Sequence, residues 1–497
     1  MMLNKKRLLI LFSVFIVLFL FCTDSSPLIR YRGVDSSVYF TVGRGIIGGK
    51  TAYTDLFDNK GLYLYFFNAA AALISGSTTI GIFIVEWIFH FTSFIFLFLI
   101  GMTVLDSSRK SLLFSLAVMV FYFFGGTYEG GNLTETYCLT FQIISFYLLV
   151  RFFSSNESQH SPSFMFVHGI CASAAFFLRP NLVLMWVPLA AGIFILMLTR
   201  KEYAAAVKNL LFGILGLAAA ALPVLIYSLI TGCFSEMIDQ TILFSFRYIE
   251  NDGGLISNIL TDMFRLSTIG IYILVIASLI IICAVKKAVV SAKLIYAAMT
   301  LFSLAAVSLS GRSFGHYREY LIPLIIPAMI FLTHLITRRI SSALAFSALY
   351  ALTSTIILFN CGKFTDFFIT GSEDKKRVEA WAKLIDDYSE HFDPEDKMLV
   401  MGNRAVYYNV LEKLPEEKYF YIPDINNNAF SEPLDAQMNA LKSGKYDVVF
   451  VPLIFSSDIS FKEDINKELH EILHSDYDKW ITNYEMQVVI YEKKRGV

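Results

Sequence analysis

The chain has 497 residues, of which 56% are hydrophobic and only 17% charged, whereas a soluble domain averages about 25% charged residues. Its 41 basic and 42 acidic residues leave a net charge of −1, which excludes the basic footprint expected of a nucleic-acid binder. The charge is unevenly placed: residues 1–360 hold 24 Lys/Arg and 16 Asp/Glu, and residues 361–497 hold 17 and 26. The first part is too apolar for a globule of its size, so the composition describes a polytopic membrane protein (1–360) followed by a charged, water-soluble domain (361–497).

In chain order, Lys5-Lys6-Arg7 precedes an apolar run from Leu8 to Cys22. No small-x-small cleavage site follows it, so it reads as an uncleaved first helix. A bilayer crossing takes about 20 apolar residues. Eleven segments meet that pattern, near 8–24, 79–104, 111–125, 137–153, 164–179, 181–199, 208–230, 266–285, 294–310, 320–337 and 341–359. Gly61–Gly76 is apolar but short and directly follows a charged loop, which makes it an interfacial or re-entrant helix. Six cysteines, Cys22, Cys138, Cys171, Cys233, Cys283 and Cys361, show no paired spacing and read as buried thiols.

With the N-terminus inside, the cytoplasmic loops collect 14 basic residues against Asp106, Glu157 and Glu202, as the positive-inside rule requires. The C-terminal domain then lies outside the cytoplasm, and so do the loops richest in chemistry. The first outer loop holds Asp35, Asp55, Asp58 and Lys60, and the second, GGTYEGGNLTETY, holds Glu129 and Glu135. Arg179-Pro180-Asn181 forms a tight outer turn, loop 231–265 carries Asp239, Arg247, Glu250 and Asp252, and GRSFGHYREY carries Arg312, His316 and Tyr317. Carboxylates at a membrane surface can take a proton from a hydroxyl or hold a divalent cation. Cations beside them can bind a phosphate and stabilise it as a leaving group. Together they suit a substrate with a lipid tail and a phosphate head.

Several of these residues also have plainer uses. Asp35 would serve equally as the N-cap of a helix through Val38–Ile47, Asp55 and Asp58 as turn residues, and Lys60 as an interfacial anchor. Glu86 and His90 share one face of the second span, either as a functional pair or as an interhelix hydrogen bond. Asn132-Leu133-Thr134 matches a glycosylation sequon, a pattern frequent by chance.

In the C-terminal part, amphipathic stretches at 373–392, 434–443 and 461–477 alternate with strand-like runs at 398–402, 418–422, 447–452 and 487–492. This order predicts a small α/β domain. Gly402-Asn403-Arg404 lacks a phosphate-loop pattern, so the domain is expected to bind an acceptor or shield the site rather than catalyse.

Asp35-Ser36-Ser37-Val38-Tyr39 just after the first helix, followed by Tyr53-Thr54-Asp55 and Asp58-Asn59-Lys60-Gly61 opening an apolar segment, resembles the GT-C glycosyltransferases. It resembles in particular the bacterial branch related to protein O-mannosyltransferases and lipid A aminoarabinose transferase. The outer GGNLTE, LRPN and GHY segments share the likeness less specifically. The resemblance implies a GT-C fold of about 11 transmembrane helices with a C-terminal extracytoplasmic α/β domain. It also implies an inverting transfer of a sugar from a polyprenyl-phosphate donor to an extracytoplasmic hydroxyl on a glycan, lipid or protein. Under it Asp35 is the general base, with Asp58 and Glu135 as the other candidate carboxylates. Lys60, Arg179, Arg312 and His316 would face the donor phosphate, and Asp55, Glu129 and Tyr317 the rest of the substrate. Metal dependence varies across such enzymes, so a divalent ion is left open and no other cofactor is implied. Two positions depart from the family pattern: Asn59 stands between Asp58 and Lys60, and Gly61-Leu62 stands where relatives have Pro-Pro.

Two other readings compete with the enzyme, a flippase for lipid-linked saccharides and a non-catalytic scaffold of envelope assembly. Transporters usually carry midplane polar residues on broken helices and internal repeats, whereas the polar residues here gather at one surface.

The charge asymmetry makes a direct prediction. Cysteines placed at Lys201 and Arg338 should be reachable only from the cytoplasm, and those at Asp55 and Val400 only from outside. Labelling of position 400 from the cytoplasm would overturn the topology.

Overall fold

The computed structural model describes residues 33–105, 107–155, 159–244, 269–286, 289–309, 314–341, 373–423, 431–453, 463–484 and 486–494, with Thr23, Ser25, Ser26, Leu344 and Ala348. Two helices that do not span come first, α1 (Val34–Ile47) and α2 (Leu62–Ser75). Long apolar helices follow: α3 (Ile80–Val104), α4 (Ser108–Phe124), α5 (Thr134–Ser154), α6 (Pro162–Phe176), α7 (Trp186–Thr199) and α8 (Tyr203–Ile230). After the short α9 (Phe234–Ile238) come α10 (Ile269–Ala284), α11 (Val290–Ser308) and α12 (Ile326–Arg339). A 3-10 turn at Pro180–Val183 leads into α7, and a 3-10 helix at Gly315–Ile325 leads into α12.

Among the described residues, Ile80–Val104, Thr134–Ser154, Pro180–Thr199, Tyr203–Ile230, Val290–Ser308 and Gly315–Arg339 are each long and apolar enough to cross a bilayer. Pro162–Phe176 and Ile269–Ala284 are apolar but shorter. Every expected span between 79 and 337 falls on one of these helices or on α4. The expected spans at 8–24 and 341–359 lie mostly outside the described residues. The short apolar segment after Gly61 forms the 14-residue α2, too short for a bilayer at 1.5 Å rise per residue.

Burial separates the centre of the bundle from its lipid face. Two thirds of the apolar window of α5 is buried, against 17% for α8, whose Leu210, Leu211, Ile214, Leu222, Leu225 and Leu229 stand exposed. A helix that displays leucines outward has lipid, not water, as its solvent. The sites that matter for chemistry sit at one end of the central helices, as described below.

The C-terminal domain contains a four-stranded sheet made of β1 (Met398–Val400), β2 (Val448–Pro452), β3 (Tyr477–Asn483) and β4 (Val488–Lys493), in the order β1-β2-β4-β3. β1 runs parallel to β2 through the pairing Val400↔Phe450, and β4 is antiparallel to both β2 and β3. Helices α13 (Glu373–His391), α14 (Val406–Val410), α15 (Glu432–Lys442) and α16 (Glu463–Asp476) surround it. Because successive strand residues point to opposite faces, Val400, Phe450 and Ile490 join the core that continues into the membrane part, whereas Leu399, Val449 and Val451 pack with Leu434 and Leu441 of the α15 segment. Both faces are covered, which explains the continuous apolar run in β2.

Three expectations need correction here. Cys283, expected as a buried thiol, is exposed on α10. Residues 418–422 are not a strand: this segment leaves the sheet and docks on the membrane part, where Phe57 N–H donates to the Lys418 carbonyl at 2.8 Å. The expected helix through 477 stops at Asp476, and Tyr477–Asn483 is a strand, because its pairing with β4 outweighs the helical pattern preceding it.

The domains are joined at α1. Arg44 Nη1 donates to the Tyr408 and Lys413 carbonyls at 2.9 and 3.2 Å and to Asn409 Oδ1 at 3.3 Å. Asn409 Nδ2 returns a bond to the Ser37 carbonyl at 2.8 Å. The charge-assisted bonds of one arginine thus fix α1 against the C-terminal domain.

Candidate functional site

A cavity of about 250 Å³ opens where α1, the loop before α2, the start of α5, the end of α6 and the 3-10 helix before α12 converge. Asp35, Asp58, Lys60, Glu135, Arg179, His316 and Tyr317 all line it. Seven residues singled out from four outer loops therefore meet in one place.

Asp35 is held by the first turn of α1. Gly33, not Asp35, is the N-cap of that helix, and the cap has no side-chain hydrogen bond. The helix starts earlier than the expected Val38, and this removes the capping explanation for Asp35. Its carboxylate is exposed to the cavity and, among the described residues, has no hydrogen bond or ion pair. The surrounding protein raises its pKa above the ordinary carboxylate value, the charges of Lys60 and His316 pull it back, and those of Asp58 and Glu135 push it further up. Tyr39, one turn along the same face, lines the cavity beside it.

Asp58 is used differently. It is buried, and both its oxygens accept phenol hydrogens, Oδ2 from Tyr65 at 2.7 Å and Oδ1 from Tyr421 at 2.6 Å. Tyr65 also accepts Lys60 N–H at 3.1 Å, and Tyr53 donates to the Lys60 carbonyl at 2.7 Å. These bonds shape the backbone so that Lys60 projects into the cavity. Its ammonium donates to Asn59 Oδ1 at 2.5 Å and lies 5.6 Å from the Tyr39 ring centroid. It makes no ion pair among the described residues, so its full charge is available to a ligand. Asn59, the residue between Asp58 and Lys60, thus acts as the partner of that ammonium.

Gly61 brings a second cation close. Its N–H donates to the Leu178 carbonyl at 2.9 Å, and Tyr63 N–H donates to the Phe177 carbonyl at 3.1 Å. A Cβ at Gly61 would run into the Phe177 carbonyl, and a proline there would lack the donated hydrogen. The departure from the Pro-Pro pattern therefore has a structural reason. Arg179, the next residue after Leu178, is carried to the cavity that Lys60 also lines. Its guanidinium bonds Glu135 Oε1 at 2.9 Å and Tyr317 OH at 3.3 Å, and lies over the Tyr317 ring at 4.5 Å. Glu135 sits in the first turn of α5 and also accepts Thr134 Oγ1 at 2.6 Å.

His316 is paired in turn. Its Nδ1 lies 2.5 Å from Glu129 Oε2, and Gly315 N–H donates to Glu129 Oε1 at 2.9 Å. Burial pushes the Glu129 pKa up, but the hydrogen bonds and charge of His316 outweigh it and hold the carboxyl below its ordinary value.

Some sequence candidates lie elsewhere. Asp55 accepts Thr51 N–H at 2.7 Å and closes a turn outside the cavity wall. Arg312, Arg247, Glu250 and Asp252 lie outside the described residues. Glu86 accepts hydrogens from the hydroxyls of Thr23 and Ser25 and from Asn132 N–H, while His90 packs against the Tyr122 and Phe123 rings. Asn132 is buried with its amide fully engaged, so its sequon is no surface acceptor. Among the described residues, no group of three or more His, Cys, Asp or Glu side chains could hold a metal ion. Sequence reasoning missed Tyr421, Asn403 and Tyr39, all of which line the cavity. A tyrosine in a soluble domain gives no sign, before folding, that its hydroxyl will meet a carboxylate 363 residues away.

The comparisons with known proteins agree with this architecture. The family model of the competence-induced protein Ccs4 N-terminal domain matches residues 1–346. A search of curated proteins finds no match. Two solved structures of ArnT from Cupriavidus metallidurans share the fold. The one bound to undecaprenyl phosphate has a TM-score of 0.65 at 10% identity, covering 99% of each chain. The apo structure has a TM-score of 0.61 at 11% identity, covering 98% of each. The fold is thus of the GT-C membrane type.

Gly61→Pro should destabilise the protein. It leaves the Leu178 carbonyl unpaired, which costs about 1–3 kcal/mol when such a group is buried, and adds a collision with Phe177. Thermal unfolding in detergent should show a melting temperature several degrees lower, and an unchanged melting temperature would remove this contact from the account.

Proposed function

This chain belongs to the family of the competence-induced protein Ccs4 N-terminal domain, and we propose that it is a glycosyltransferase of the cell membrane. It moves a sugar from a polyprenyl-phosphate donor to a hydroxyl of an extracytoplasmic glycan, lipid or protein, with inversion. One observation supports this most: Asp35 and Lys60, neither of which makes an ion pair among the described residues, line one cavity at the end of a lipid-exposed helix bundle. The solved ArnT structure bound to undecaprenyl phosphate, which shares the fold, lends support to a polyprenyl-linked donor.

The residues divide the reaction between them. Asp35 takes the proton of the acceptor hydroxyl as its oxygen attacks the anomeric carbon. The bond from that carbon to the phosphate oxygen breaks on the opposite face, and polyprenyl phosphate leaves. Lys60 meets the charge that develops on the phosphate, and Arg179 and His316 add theirs from the same wall. The last two are already shared with Glu135 and Glu129, so Lys60 contributes most. The raised pKa of Asp35 makes it a stronger base than a solvated carboxylate. The C-terminal domain closes the outer side of the cavity through Tyr421, leaving the prenyl chain to the apolar helices.

Two substitutions test this reading on purified protein given a panel of polyprenyl-phosphate sugars. Asp35→Asn is isosteric but cannot accept a proton, so turnover should drop by roughly two to four decades, with folding intact because Asp35 caps nothing. In the wild type, turnover should fall as pH drops and Asp35 protonates, with this limb centred above the ordinary carboxylate pKa. Wild-type rates in Asp35→Asn would remove it from the mechanism.

Lys60→Ala should weaken donor use, seen mainly as a higher KM, while leaving the melting temperature near wild type. If donor affinity survives the change, Lys60 is only an interfacial anchor.

A further inference from the structure

Behind Asp35 lies a polar cluster that the chemistry above does not use. The loop entering α5 passes through Gly130, Gly131 and Asn132 with φ of +84°, +89° and +52°, three left-handed residues in a row. Only glycine takes this region freely, and asparagine is among the few other residues that tolerate it. A side chain at Gly131 would strike the Glu86 carboxylate and the Tyr128 hydroxyl. The unusual path places Asn132 N–H on Glu86, which is fully buried within α3, and the same carboxylate also accepts the Thr23 and Ser25 hydroxyls.

The Asn132 side chain then reaches three helices at once. Its Nδ2 donates to Ser36 Oγ at 2.8 Å and to Asn68 Oδ1 at 2.9 Å. Its Oδ1 accepts Tyr137 OH at 2.8 Å and Asn68 Nδ2 at 3.1 Å. Ser36 adjoins Asp35 in the first turn of α1, Asn68 lies on α2, and Tyr137 lies in the first turn of α5, which also carries Glu135. Every polar atom of this amide is engaged, and the residue is 1% exposed. A cap or a solvated loop asparagine would need far fewer bonds. Such a network costs stability unless every member is satisfied, and here one of its bonds, from Asn132 Nδ2 to Ser36 Oγ, reaches the turn that bears Asp35.

We propose that Asn132, anchored by Glu86, is a positioning residue that holds Asp35 in its orientation toward the cavity through the bond to Ser36. The inference rests on the reading of Asp35 as the general base and adds to it a specific lever. A shift of about 1 Å in such a group can cost about 100-fold in rate.

The test measures turnover of the polyprenyl-phosphate sugar and, separately, the rate at which a hydrophobic carbodiimide modifies Asp35, read by mass spectrometry of the peptide containing it. Asn132→Ala should lower kcat by about 10- to 100-fold with donor KM within about threefold, and should change the Asp35 modification rate several-fold. Ser36→Ala breaks the same bond from the other end and serves if Asn132→Ala does not fold. Its effect and that of Asn132→Ala should combine to less than their product, as expected of two ends of one interaction. A merely structural asparagine would lower the melting temperature yet leave kcat and the modification rate of the folded fraction near wild type, and that result overturns the inference. A wild-type protein inactive on every donor would instead refute the proposed reaction, and the carbodiimide rates would still decide whether Asn132 orients Asp35.

Discussion

The backbone contact between Gly61 and Leu178 is the constraint on which the site is assembled. Two segments far apart in the chain, the entry to α2 and the exit from α6, meet through Gly61 N–H and Tyr63 N–H and the carbonyls of Leu178 and Phe177. The residues on either side of that contact are Lys60 and Arg179, so one pair of hydrogen bonds places two cations on one cavity. In a region that borders lipid, backbone groups left unpaired are costly. The pairing is therefore strongly enforced, and the cations are fixed by the main chain and not by their own flexible side chains.

Charge pairing then sorts the cavity. Glu135 takes Arg179, Glu129 takes His316, and Asp58 is satisfied by two phenols. What is left is a carboxylate and an ammonium, each exposed to the cavity. Neighbouring negative charges raise the pKa of a carboxylate, and neighbouring positive charges lower it. In this polar frame, desolvation by the surrounding protein is what chiefly raises the pKa of Asp35; Lys60 and His316 lower it, and Asp58 and Glu135 add to the rise. Glu135 and Glu129 hold Arg179 and His316 in place at this frame, so both carboxylates matter even without touching a substrate.

The C-terminal domain belongs to this frame. Its Tyr421 holds one oxygen of Asp58, its Lys418 carbonyl holds Phe57, and its Tyr408–Lys413 segment receives Arg44 of α1. An aromatic contact of Phe57 with Tyr419, ring centroids 5.0 Å apart, packs the same seam. Gly402-Asn403-Arg404 carries no phosphate-loop pattern, yet Asn403, Tyr421, Ile422 and Pro423 of this domain line the cavity. The 418–422 segment departs from strand geometry: its Lys418 carbonyl bonds Phe57 of the membrane part, whereas its Tyr419 carbonyl and Ile422 N–H bond Gln437 and Gly402 of its own domain.

Local physics made much of this chain legible from its residues. Spans of about 20 apolar residues, the short α2, the amphipathic helices and three of the four strands depend on length and periodicity, which sequence displays directly. The candidate site was also legible as a set, because Asp35, Lys60, Glu135, Arg179 and His316 stand out as charges in apolar surroundings. Which of them would be neutralised was not legible, because pairing depends on distances between helices. The sequence could not show that Gly33 caps α1, that Asp58 is enclosed by Tyr65 and Tyr421, or that Asn132 would join Ser36, Asn68 and Tyr137. Hydropathy and charge by themselves determined a membrane bundle with its chemistry gathered at one end. Only the tertiary structure decided which carboxylate and which ammonium stay free, because a charge becomes available or spent only when folding brings its partner within a few ångströms.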